Sequence, residues 1–153
     1  MPVVFEPKRY MGTWYSIQHS TGNPRIPDRN CVTAIYDQLD LEAGTFRVQN
    51  SYSEEFGPRK NLVGSVTNEG CPNGQFKVSF FGGSPSVPNY KVLDTDYDTY
   101  AVVYGCRPKR DTVPNLWFLG RTPALSEELI ARLTKETTEK CPNYDWSVAC
   151  RDV

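Results

Sequence analysis

Five cysteines are the first side chains with chemistry to offer: Cys31, Cys71, Cys106, Cys141 and Cys150. No two stand at the C-x-x-C spacing that grips a metal or runs thiol exchange, so they read as a disulfide framework made in an oxidising compartment. Five is odd, which leaves at least one thiol without an intramolecular mate. Asp94, Asp96 and Asp98 form a second group, a short acidic run. A calcium loop needs a central glycine and a closing glutamate that this run does not have, and a turn between consecutive strands accounts for it more simply. The lone histidine, His19, has no Ser/Asp or Cys partner in pattern and would hold a zinc or haem alone, where such groups take several ligands. These residues suggest neither an enzyme nor a metal site, and the chain reads as a protein that needs no cofactor.

The remaining chemistry is in bulk composition. Nine Tyr, seven Phe and three Trp share 153 residues with eleven Gly and twelve Pro, a mixture of strand formers and turn formers that leans all-β. The 17 Lys+Arg against 18 Asp+Glu give a net charge of −1, so there is no basic field to hold nucleic acid or an anionic membrane. The apolar runs fall far short of the roughly 20 residues of a spanning helix. The length suits one domain over residues 1–153 with a core of its own. Residues 1–10 lack the charged head and apolar core of a signal peptide, and the expectation is a mature secreted chain with an added Met.

Strands must position these aromatics. Period-two alternation marks eight segments, 12–19, 31–39, 45–52, 60–67, 75–80, 89–94, 99–106 and 115–121, joined by turn residues such as Glu42-Ala43-Gly44 and Pro72-Asn73-Gly74. In 45–52, Phe46, Val48, Asn50 and Tyr52 share a face opposite Arg47, Gln49 and Ser51. After Arg121, Leu125, Leu129, Ile130 and Leu133 fall at helical spacing, with acids early and lysines late. Strands 99–106 and 115–121 are apolar on both faces, so the helix can cover one face while the other points inward. The expected fold is all-β: an eight-stranded antiparallel up-and-down barrel, a calyx, with one C-terminal α-helix packed on the outside. The stretch 20–30 is long for a hairpin and would suit a flap at the mouth.

A barrel of this size is either filled by side chains or holds one small ligand. The inward row includes Gln18, Ala34, Tyr36, Phe46, Val48, Asn50, Tyr52, Leu62, Val66, Phe76, Val78, Phe80, Tyr90, Val103, Asn115 and Trp117. Asn50, Tyr36, Tyr52, Tyr90 and Asn115 would each cost about 1–3 kcal/mol if buried without partners, which favours a cavity with a few polar contacts. The alternative is that the aromatics pack together, their hydroxyls reaching solvent at the mouth.

Three motifs carry a resemblance. Arg9 to Tyr15, with Gly12 and Trp14, is similar to the lipocalin G-x-W signature; Asp94 to Tyr100, with Asp96 and Tyr97, resembles the T-D-Y-x-x-Y signature; Leu119 to Pro123, with Arg121, resembles the third. All three occur in order along the chain. Within the lipocalin family the sequence is most similar to the apolipoprotein D, bilin-binding, crustacyanin and retinol-binding branch. The resemblance implies that Gly12, Trp14, Asp96, Tyr97 and Arg121 build the closed end, with the Arg121 guanidinium under the Trp14 indole. It also implies a Cys31 to Cys150 bridge tying the tail to the barrel, worth about 4–5 kcal/mol in the chain-entropy model. Cys106 and Cys141 match cysteines whose family partners precede the first strand, where this sequence has none, so one of them is the expected unpaired thiol. Which pairing Cys71, Cys106 and Cys141 adopt stays open.

The implied function is binding and transport of a small lipophilic partner. Aromatic walls favour a flat conjugated molecule, a bilin, retinoid or carotenoid, as bound chromophore. Arg25, Arg29, Arg59 or Lys60 could meet a ligand carboxylate at the mouth, although solvated loop charges are the plainer reading. Two alternatives stand beside it. One is a pigment-type homo-oligomer associating through Ile26, Phe56 and Phe80-Phe81. The other is a lipocalin-type isomerase, against which no cysteine occupies a mid-strand inward position.

Overall fold

The computed structural model describes residues 4–19, 30–53, 58–68, 71, 73–80, 85, 87–105 and 115–140. A single helical turn, α1 (Pro7–Tyr10), leads into β1 (Gly12–His19), followed by β2 (Asn30–Asp40), β3 (Thr45–Ser53), β4 (Arg59–Thr67), β5 (Gln75–Ser79), β6 (Tyr90–Thr95), β7 (Tyr100–Gly105), β8 (Asn115–Gly120) and α2 (Glu127–Lys140). Every strand pairs antiparallel with the next, and β8 returns to β1, so the sheet closes without an edge. The expected barrel and outer helix are therefore present. The turn α1 is an addition to the sequence reading; of the proposed mouth flap at 20–30, residues 20–29 lie outside the described residues and Asn30 opens β2.

Pairing registers set the faces. Phe46 lies opposite Val66 and Val66 opposite Val78 on the inner row, while Arg47, Ser65 and Ser79 form the matching outer row. Phe46, Val48 and Val66 are buried accordingly, and the outer Arg47 instead grips Asp37 with two hydrogen bonds, 2.7 Å from Nε and 2.6 Å from Nη2. The outer Ser51 is buried yet satisfied, donating to Asn61 Oδ1 at 2.6 Å. β7 is buried at all six positions because it is covered twice. Ala101 and Val103 face the barrel core, while Tyr100 and Val102 join Phe118 and Leu133 under α2. Ser126 Oγ accepts from the Leu129 amide at 3.1 Å to cap that helix, and Glu127 and Glu128 follow at its positive end.

One seam is held partly by a side chain. β5 and β6 are in register at Gln75 with Lys91 and at Phe76 with Tyr90, and towards the mouth the Asn89 amide takes the place of another peptide. Its Oδ1 accepts from the Val78 amide at 2.8 Å and its Nδ2 donates to the Val78 carbonyl at 2.9 Å. Asn89→Ala removes both bonds and leaves the Val78 amide without its acceptor. The expected result is a loss of about 1–3 kcal/mol and faster hydrogen exchange at Val78 than at Val66. Equal exchange rates at the two amides in the variant would show that the seam does not depend on Asn89.

Candidate ligand chamber and the closed end of the barrel

The closed end is built where β1 begins. Gly12 has φ +102, a conformation L side chains rarely adopt, and a Cβ there would stand 3.2 Å from Arg121 Nη1. That opening lets the Arg121 guanidinium enter. It donates to the carbonyls of Tyr97 at 2.8 Å, Thr13 at 3.0 Å and Arg9 at 2.7 Å, and its Cζ sits 3.8 Å from the Trp14 ring centroid. Trp14 is fully buried, and its Nε1 donates to the Tyr10 carbonyl at 2.9 Å. One guanidinium thus ties α1, β1 and the β6–β7 turn together.

The three aspartates have separate tasks in that turn. Asp94 Oδ2 accepts from the Tyr100 hydroxyl, Asp98 pairs with Arg9, and Asp96 Oδ1 accepts from the amides of Thr99 and Tyr100 at 2.8 and 3.0 Å. For Asp96, burial acts to raise the carboxyl pKa, but the Tyr100 and Thr99 amides outweigh it and hold the group below its usual value. A depressed folded-state pKa contributes stability above the unfolded value, and that contribution is lost as pH falls through the folded one. Asp96→Asn keeps the amide acceptor without the charge. Its denaturation midpoint is expected to fall less steeply than the parent's between about pH 5 and pH 2. Parallel midpoint curves would show that Asp96 does not drive the acid response.

Above this end, the expected inward residues divide by burial. Tyr36, Phe46, Val48, Val66, Phe76 and Val103 are at most 6% exposed and pack with Tyr10, Trp14, Ala101 and Leu119 into one cluster. They face almost no void that water could enter, so the lower half of the barrel is filled. Phe5 caps it from below, with ring centroids 5.3 Å from both Tyr10 and Phe76. Ala34, Asn50, Tyr52, Leu62, Val78, Phe80, Tyr90 and Trp117 are half-buried; Ala34, Val78, Phe80, Tyr90 and Trp117 pack against that cluster, and Asn50, Tyr52 and Leu62 lie beyond it towards the mouth. Trp117 lies in a notch at Gly105, where a Cβ would meet its ring at 2.5 Å.

The bulge between Ser16 and Gln18 shifts the pairing of β1 with β8, so that Gln18 comes opposite Phe118 and His19 opposite Trp117. The side chain of Gln18 lies outside the described set. Tyr36 and Tyr90 need no ligand to satisfy them. The Tyr90 hydroxyl is 2.8 Å from that of Tyr36 and 2.5 Å from that of Tyr10, a residue to which the sequence pattern assigned no role. Burial pushes the Tyr36 phenol up to about 12 and those of Tyr10 and Tyr90 well above 10, so all three are neutral at ordinary pH.

The other candidate groups fall elsewhere. Asn115 shares the inner row with Gly105, but its side chain is outside the described set, as is that of Cys31. Cys106, Cys141 and Cys150 lie outside the described residues, so the expected Cys31 to Cys150 bridge does too. Cys71 follows the β4 strand with its amide bonded to the Asn68 carbonyl. Burial raises its thiol pKa against an opposing effect of Lys77, which does not activate it as a nucleophile. Arg25 and Arg29 are outside the described residues; Arg59 bonds Thr33 Oγ1 at 3.0 Å, and Lys60 is exposed on the row of Tyr52. Of the suggested association patch, Ile26, Phe56 and Phe81 are outside the described residues, and Phe80 is folded onto Gly64. A cleft of about 450 Å³ is lined by Thr45, Arg47, Val63, Ser65 and Ser79 of the outer row together with Gln38, Phe46, Gly64 and Phe80. Hydroxyls and the Asp37-bound guanidinium make up much of its wall.

Comparison with known proteins agrees with this geometry. Residues 5–148 match the model of the lipocalin-like domain. The chain is 29% identical to apolipoprotein D of Rattus norvegicus, over 92% of this chain and 80% of that protein. It is 35% identical to the outer membrane lipoprotein Blc of Escherichia coli K12, over 82% of this chain and 67% of that protein. Among solved structures, lobster apocrustacyanin A1 superposes with a TM-score of 0.66 at 21% identity, covering 90% of this chain and 73% of the other.

Proposed function

The chain belongs to the lipocalin-like family, and on that premise we propose that it binds and carries one small lipophilic molecule in the mouth half of its barrel. The reading extends to a flat conjugated ligand, a bilin, retinoid or carotenoid, held as a chromophore by a secreted carrier rather than turned over by an enzyme. The observation that carries it is the division of the interior. A packed aromatic floor supports a half-buried ring of Ala34, Leu62, Val78, Phe80 and Trp117, with Asn50 and Tyr52 as polar members. Apolar walls with a few fixed polar groups are what a small-molecule site requires, and a planar ligand can stack against Trp117 and Phe80.

Titration of the purified protein with biliverdin, retinol and a carotenoid tests the reading. At least one is expected to shift its absorbance maximum on binding and to quench tryptophan emission with saturation at one molecule per chain. An absence of spectral shift with all three would overturn the conjugated-ligand version.

A further inference from the structure

At the boundary between the packed floor and the mouth half stand the three phenols of Tyr10, Tyr36 and Tyr90. They arrive from α1, β2 and β6, three elements far apart in the chain, and their hydroxyls meet inside an otherwise apolar wall. Tyr10 and Tyr36 are buried, and Tyr90, the shared partner of both, is half-buried and packs against the floor cluster beside Phe76. Two hydrogen bonds join the three oxygens, one of 2.8 Å between Tyr36 and Tyr90 and a short one of 2.5 Å between Tyr10 and Tyr90. They use two of the three protons and leave lone pairs on every oxygen, so the cluster keeps both a donor and acceptors for a further polar group.

We propose that this hydroxyl cluster is the inner polar terminus of the chamber, and that it selects ligands whose leading end carries a neutral oxygen, a hydroxyl or a carbonyl, over ligands that lead with a carboxylate. The proposal rests on the chamber reading above. Charge decides between the two ends. Among the described inner residues of the lower half none is charged, and the nearby cation, Arg121, is committed on the far side of Trp14 to three backbone carbonyls. A carboxylate brought here would lose its hydration without gaining a counter-ion. A ketone or alcohol loses far less and recovers it in one hydrogen bond. The same burial that keeps the three phenols neutral also penalises a foreign anion. An amphiphile with a carboxylate would therefore seat it at the mouth, where Lys60 stands on the inner row.

A series on one skeleton tests this: retinol, retinoic acid and the hydrocarbon lacking the oxygen, titrated against the parent and against Tyr90→Phe and Tyr36→Phe. Each variant keeps the ring and removes one hydroxyl, and two variants guard against one failing to fold. Retinol is expected to bind the parent about fivefold more tightly than the hydrocarbon. That ratio should fall towards one in either variant, while the affinity for retinoic acid stays unchanged. If the ligands bind but the ratio survives in both variants, the hydroxyl cluster is no terminus and only this inference fails. A loss of affinity for the acid in the variants would equally overturn it. If none of the three ligands binds, the retinoid form of the chamber reading fails together with the inference.

Discussion

Trp14→Ala is expected to remove about 3–5 kcal/mol of stability, a large part of the 5–15 kcal/mol typical of a whole domain. The indole is fully buried, packs on Tyr10 with ring centroids 5.3 Å apart, and supports the Arg121 guanidinium on its face. Its removal leaves a cavity at the point where three segments converge, and the Arg121 charge loses its aromatic platform while remaining bonded to carbonyls. Urea denaturation should show a lower midpoint. Arg121→Lys gives a companion measurement: an ammonium cannot reach the Tyr97, Thr13 and Arg9 carbonyls together as the planar fork does. The double variant should cost less than the sum of the two, because each removes part of the same contact. A midpoint for Trp14→Ala within experimental error of the parent would mean that the closed end is held by the barrel ladder alone.

The legibility of this molecule in its sequence varies with the range of the interaction concerned. Strands were readable because the buried residue recurs every second position, as at Phe46 and Val48 between Thr45, Arg47 and Gln49. The outer helix was readable because Leu129 and Leu133 recur at helical spacing against β7 and β8. The bulge near Ile17 was not: one inserted residue leaves the alternation intact on either side while shifting the register in which Gln18 and His19 pair with β8. The turn α1 has four residues, too few for a periodic signal. The phenol cluster is a harder case. The sequence pattern gives Tyr36 and Tyr90 inward positions, but whether their hydroxyls need a ligand depends on the barrel bringing together oxygens 54 and 80 residues apart. Inward polar atoms in a sequence pattern therefore favour a cavity with a few polar contacts, whereas in the structure the Tyr10, Tyr36 and Tyr90 hydroxyls are one another's partners.

Gly105→Ala is expected to weaken binding of a lipophilic ligand by at least about tenfold while the barrel still folds. Gly105 ends β7 beside the mouth, and the added methyl would stand 2.5 Å from Trp117 Cζ3 and 2.9 Å from Cη2. Real Cβ atoms do not approach carbon so closely, so the indole must leave its notch. Trp117 pairs in register with Val103, whose side chain is already packed in the floor, and the displaced ring has the mouth half as its remaining space. Overpacking of this kind costs about 1–3 kcal/mol, less than removal of Trp14, and it takes up volume the ligand would use. A tenfold loss corresponds to about 1.4 kcal/mol, within what such a rearrangement supplies. Near-UV circular dichroism should report the moved indole. Unchanged affinity in Gly105→Ala, with the indole signal altered, would place the ligand somewhere other than against Trp117.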